Sequence, residues 1–197
     1  MSSTTPPTPE LALAHTRAWV DRAVIGLNLC PFAKAVQVRG QVRYVFCDAT
    51  DEQALMDTLC GELHHLAEAD PDRTDTTLIV HPHVLGDFPD FNDFLDAADA
   101  AVEQLGYAGV LQVAPFHPGF QFADTAEDDP TNATNRSPYP TLHLLREESV
   151  DRAVGAFPEA ETIFDANIVT MRALGQEGVA RLQARCLEDA LTPPREV

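Results

Sequence analysis

Apolar positions along the first thirty residues recur at helical steps. Leu13, Thr16, Val20, Val24 and Leu27 line up at intervals of three and four, with Arg17 and Asp21 on a more polar flank. That spacing predicts a helix from Pro9 to about Leu27. Cys30-Pro31 then reads as a fresh start, with Cys30 at the N-cap, Pro31 at the first helical position and a short second helix over Phe32 to Val36. Gln41 to Cys47 alternates Val42, Tyr44 and Phe46 against Gln41, Arg43 and Val45, the pattern of a strand with one buried face. Asp51 to Ala69 returns to the helical period through Leu55, Leu59, Leu63 and Leu66, with Asp51 near the N-terminus where the helix dipole favours it. Thr76 to His81 is a short, continuously apolar run of the kind found inside a sheet. A helix from about Asp90 to Leu105 follows, with Phe94, Ala97, Ala101 and Leu105 facing inward and Gly106 as its stop.

Gly109 to Phe116 predicts a third strand, and Gly119 to Ala123 a further short one after the Pro118-Gly119 turn. Beyond Phe116 regular periodicity fades for more than twenty residues, until a helix expected from Thr141 to Ala156 and another over Glu161–Asp189. A loop of that length within a compact domain is uncommon, and is usually functional or disordered. This one carries His117, Asp128, Asp129, Asn132, Asn135, Arg136, Ser137 and Tyr139, with prolines and aromatics that argue for an ordered loop. The alternation of strands and helices predicts an α/β fold: a small, mostly parallel sheet of three to four strands flanked by helices. The alternative is a ferredoxin-like α+β arrangement with an antiparallel fourth strand. The expected organisation is a disordered lead-in over 1–9, one domain over 10–190 and a tail over 191–197.

Composition narrows the function classes. A chain of 197 residues with 45% hydrophobic residues is long enough for a real core. Its net charge of −18 weighs against nucleic acid or an anionic membrane as partner. No apolar run reaches the roughly 20 residues that span a bilayer, and the first ten residues lack the basic and apolar regions of a signal peptide. Cys30, Cys47, Cys60 and Cys186 show no CxxC spacing, so free thiols and a cytoplasmic setting are expected.

In open parallel sheets, ligands collect outside the carboxyl ends of the strands. Two predicted strands end alike, Val80-His81-Pro82 and Phe116-His117-Pro118, and a parallel sheet would put Cys47, His81 and His117 on one edge. On the helix expected from Thr141, His143 and Glu147 would share a face with Arg146 beside them. Imidazoles and one carboxylate from separate elements match the ligands of a divalent metal, zinc or iron, so His81, His117, His143 and Glu147 form a candidate metal set. Arg136 and Arg146 suit a carboxylate or phosphate on a small anionic substrate, with Asn135 beside them. His117, His143, Glu147 and Tyr139 are the candidate catalytic groups. Against each stands a plainer reading. A histidine at a strand end is more often a hydrogen-bonded turn residue than a ligand, and Ser137 before Pro138 suits a helix N-cap. Cys30 at a helix N-terminus would favour the thiolate, which opens a thiol redox alternative.

Three segments also carry a family resemblance: LNLCPFA from Leu27 to Ala33, QVAPFHP from Gln112 to Pro118, and NRSPYPTLHLLRE from Asn135 to Glu147. They resemble a bacterial family known as domain of unknown function 1415, over about Leu11 to Leu174. The resemblance implies a bacterial, cytoplasmic, single-domain protein and brings no activity, cofactor or catalytic assignment. The functional expectation is therefore a small-molecule enzyme, metal-assisted in its sharper form, acting on an anionic substrate. The alternatives are a non-catalytic metal- or anion-binding protein and a thiol redox protein using Cys30.

Overall fold

A computed structural model describes residues 6–156 and 162–192. The first five residues of the expected lead-in, the start of the last helix at Glu161 and most of the 191–197 tail lie outside the described residues. Helix α1 spans Pro9–Trp19, N-capped by the Thr8 hydroxyl, which accepts from the Leu11 amide. It runs on without a break into a π-helical segment, Val20–Ile25. The buried stripe is Ala12, Thr16, Trp19, Val20 and Ala23, so the chain's one tryptophan faces inward. The rest of the fold follows as α2 (Ala33–Val38), β1 (Val42–Phe46), α3 (Glu52–Glu68), β2 (Thr76–Val80), α4 (Phe88–Gln104) and β3 (Leu111–Phe116). After the long loop, with its 3-10 turn Pro130–Thr134, come β4 (Thr141–Arg146), α5 (Glu147–Ala156) and α6 (Ile163–Leu191).

The four strands form one mixed sheet in the order β1-β2-β4-β3. β1 pairs with β2 in parallel, and β4 pairs antiparallel with both β2 and β3. Three strands therefore point the same way, with the fourth inserted against them. The antiparallel strand is the 141–146 segment, where a helix was expected; residues 119–123 form no strand. The expectation of one carboxyl edge for β1, β2 and β3 nevertheless holds. Helices α3 and α4 cover one face, where Leu55, Leu59, Leu63, Leu66 and Phe91 pack with Ile79, Leu142 and Leu144. Helix α1 with its π-helical continuation, and α6, cover the other, through Trp19, Val20, Ala23 and Cys186 against Leu78. β2 is buried along its whole length, as its apolar run implies. Ala98 takes the inward place expected of Ala97, which is exposed. Among the described residues no helix is long and apolar enough to cross a membrane.

Candidate functional site

His81 and His117 stand where the strand ends put them, at the carboxyl edge on the α3–α4 face. Both imidazoles stack on Phe91, with ring centroids at 5.8 Å for His81 and 5.0 Å for His117. Their hydrogen bonds define their tautomers. The Gly119 amide donates to His117 Nδ1 at 2.9 Å, so it is Nε2–H that donates to the Leu85 carbonyl at 3.1 Å. His81 Nδ1 donates to the Val84 carbonyl at 3.2 Å, which leaves its Nε2 unprotonated, buried and without a partner among the described residues. Burial holds His81 down at about 4 and lowers His117 as well. Both are neutral clasps for loops. The Val84-Leu85 turn they grip includes Leu85 at φ 56, a conformation that a leucine rarely adopts and that these contacts hold in place.

His143 is elsewhere. On β4 it alternates with Leu142 and Leu144, which enter the α3–α4 core, so its ring faces α1 instead. It lies against Phe116, which in turn packs on Trp19. The Thr76 hydroxyl donates to the Leu144 carbonyl and accepts from His143 Nε2 at 2.6 Å. The residue as a whole is half-buried, and burial of the imidazole pushes its pKa down to about 4. The sheet therefore separates His143 from His81 and His117. Glu147 opens α5 at the far end of β4, its amide donating to the Val110 carbonyl. The proposed set His81, His117, His143 and Glu147 is not assembled, and among the described residues no three His, Cys, Asp or Glu side chains come together to hold a metal ion. The cause is the β4 strand: a period of two replaces the helical period that would have stacked His143 on Glu147.

The arginines do not converge either. β4 runs against its neighbours, so Arg146 pairs with Leu111 at the amino edge. There its Nη2 donates to the carbonyls of Leu66, Ala69 and Thr74, capping the C-terminus of α3. Arg136 belongs to the loop. Its Nε donates to the Phe120 carbonyl at 2.9 Å and its Nη2 to the Glu127 carbonyl at 2.7 Å. Asn135 contributes its backbone carbonyl, which accepts from the His117 amide. Ser137 caps no helix; its hydroxyl donates to the Tyr139 carbonyl. Cys30 is half-buried in a turn and is not an N-cap, since α2 starts only at Ala33 behind Phe32. All four cysteines are free.

What the loop builds is a cleft on the α1–α6 face. Its volume is about 330 Å³, within the range of small-molecule sites. Trp19 and Ala23 line it from the first helix, Ala133 and Arg136 from the loop, and Met171 and Val179 from α6. His15, Arg136, Ser137, Gln183 and Cys186 are its polar lining residues. His15 Nδ1 shares a hydrogen bond of 3.4 Å with the Tyr139 hydroxyl, and the two rings meet edge to face. Burial lowers the His15 pKa and raises that of Tyr139, so both are neutral. Burial also raises the Cys186 thiol, leaving it protonated. His15, Trp19 and Gln183 escaped the sequence reading, because they come from helices whose pattern speaks only of scaffold. The one available signal was that Trp19 is the single tryptophan of the chain. The π-helical stretch after it, a distortion frequent at functional sites, is invisible to periodicity.

The family model described as "Protein of unknown function (DUF1415)" matches residues 11–181. The chain belongs to that family. No curated protein and no solved structure matches it. The three segments that carry the DUF1415 resemblance each reach the cleft: Leu29 from the first, Pro118 from the second, and Arg136, Ser137 and Pro138 from the third.

Proposed function

We propose that this chain binds a small anionic molecule with an apolar body in the cleft between α1, α6 and the loop from His117 to Pro140. The observation that carries the reading is the charge of the lining. Among the described residues Arg136 is the one Lys or Arg in a mainly apolar lining, and no Asp or Glu lines the cleft, in a chain that holds 31 of them. Two nitrogens of Arg136 are engaged by loop carbonyls, while among the described residues no hydrogen bond uses Nη1. A guanidinium fixed in this way meets an anion with little further loss of side-chain freedom. The metal-assisted form of the enzyme reading has lost its ligand set, and the paired-arginine form its pair.

A catalytic role has one specific support. His15 lines the cleft as a neutral imidazole in contact with the Tyr139 hydroxyl, a pairing that can accept and return a proton. Trp19, in the lining, offers a direct readout. Titrating the protein with a library of small carboxylates, phosphates and neutral amphiphiles should give a saturable change in Trp19 emission for some anionic members. Ala184→Phe, at an exposed position on the rim, should remove that response while leaving the circular dichroism spectrum intact. Binding that survives Ala184→Phe lies elsewhere and sinks the assignment. Consumption of a bound ligand, lost in His15→Asn with binding retained, would separate an enzyme from a binder.

A further inference from the structure

We infer, resting on the cleft reading above, that the occupant is a monocarboxylic acid on an apolar body, an acyl or arylalkyl acid, and not a phosphate ester. The charge supply sets the limit. Among the described residues Arg136 is the only Lys or Arg lining the cleft, and its Nε and Nη2 already donate to Phe120 and Glu127. A carboxylate carries one charge and is satisfied by a guanidinium edge. A phosphate monoester brings close to two charges and three terminal oxygens, and the remaining lining does not meet them. Ser137 has its hydroxyl committed to the Tyr139 carbonyl, and His15 shares its Nδ1 with Tyr139. Gln183, exposed on α6, is a neutral donor. A second negative charge would therefore go unpaired beside a chain whose net charge is already −18.

The walls speak for the rest of the molecule. Leu29, Met171, Val179, Leu182 and Leu187 line the same cleft, and apolar burial supplies the affinity that one ion pair at a surface does not. Met171 is itself fully buried, with a flexible thioether that adapts to an irregular chain.

Three probes with one tail decide the matter: octanoate, octanamide and octyl phosphate, read by Trp19 emission and by calorimetry. Octanoate should bind saturably and at least about tenfold more tightly than octanamide, the effect of one charge-assisted hydrogen bond. Octyl phosphate should bind more weakly than octanoate. Gln183→Glu puts a like charge on the exposed rim without disturbing the loop, and should lower the ratio of octanoate to octanamide affinity severalfold. Equal or tighter binding of octyl phosphate overturns the carboxylate assignment, and so does an octanamide as tight as octanoate. Silence from all three probes overturns it too, whereas the cleft itself stands or falls on the wider library and the Ala184→Phe variant.

Discussion

Phe91 carries two neutral histidines on its ring, and their neutrality is a condition of the fold around them. A second proton on His117 would remove the acceptor that the Gly119 amide uses. One on His81 would put a charge on a buried nitrogen that has no partner among the described residues. Burial holds His81 at about 4, against 6.5 for the free side chain, and lowers His117 despite the Leu85 hydrogen bond and the Asp87 carboxylate, which act the other way. The sign follows from proton uptake. Above 6.5 both states are neutral and stability is full; as pH falls below it the unfolded chain takes up protons first, so stability declines until the folded value near 4 is passed. For His81 the whole loss is up to about 3 kcal/mol. Urea unfolding at about pH 7.5 and about pH 5 should register the larger part of it. His81→Asn, whose amide nitrogen replaces Nδ1 towards the Val84 carbonyl, should reduce the pH slope. An unchanged slope in that variant would move the effect to another buried imidazole, His143, also held at about 4.

Among the elements, most of the helices and three of the strands were legible because each carries one period over enough residues. The stripe Leu55, Leu59, Leu63, Leu66 predicts α3, and all four leucines are fully buried. Thr141–Arg146 failed because six residues satisfy two periods at once. Leu142 and Leu145 fit a helix, Leu142 and Leu144 a strand, and the true helix starting at Glu147 lent its character backwards. Tertiary pairing decided: the segment completes hydrogen bonding for both β2 and β3, which a helix there would leave open. The misassignment of His143 and Arg146 on that segment, and of Glu147 just after it, traces to this one element. α6 hides a second irregularity, since Gly175 breaks its helical backbone at φ 64 and ψ 175, a region essentially closed to other residues. Gly61, by contrast, sits exposed inside α3 with open space where a Cβ would go. Gly61→Ala should therefore stabilise by about 0.5–1 kcal/mol, and Gly175→Ala should destabilise by roughly 1–3 kcal/mol. Chemical denaturation of the two variants beside the parent tests the pair, and a neutral Gly175→Ala would mean that the α6 break is not required.

For the molecule as a whole, the loop from His117 to Pro140 joins the two faces of the sheet. At one end His117 ties it to the α4 side through Leu85 and Phe91; further along, its 3-10 turn packs on α6 and walls the cleft. The sequence pointed to this loop by its length and side chains, but not to its face, because loops have no period from which a direction can be read. Its order depends on Asn132, which is fully buried and has both ends of its amide in use. Oδ1 accepts from the Phe122 amide at 3.0 Å and the Thr125 hydroxyl at 2.8 Å, and Nδ2 donates to the carbonyls of Ala126 and Glu127. Glu127 also receives Arg136 Nη2, so the amide that organises the loop is one residue's carbonyl away from the guanidinium of the cleft. Asn132→Ala would remove all four of the hydrogen bonds that Asn132 makes, at about 0.5–1.5 kcal/mol each. Asn132→Asp keeps the acceptor and loses the donor. Hydrogen exchange should show the Phe120, Phe122 and Thr125 amides protected in the parent and fast in Asn132→Ala, with Asn132→Asp between. The amides of Leu78 and Ile79, in the central strand β2, should stay slow in all three. Loop amides that exchange freely in the parent would mean that no preorganised wall faces α6, and Arg136 would lose its claim to a ligand.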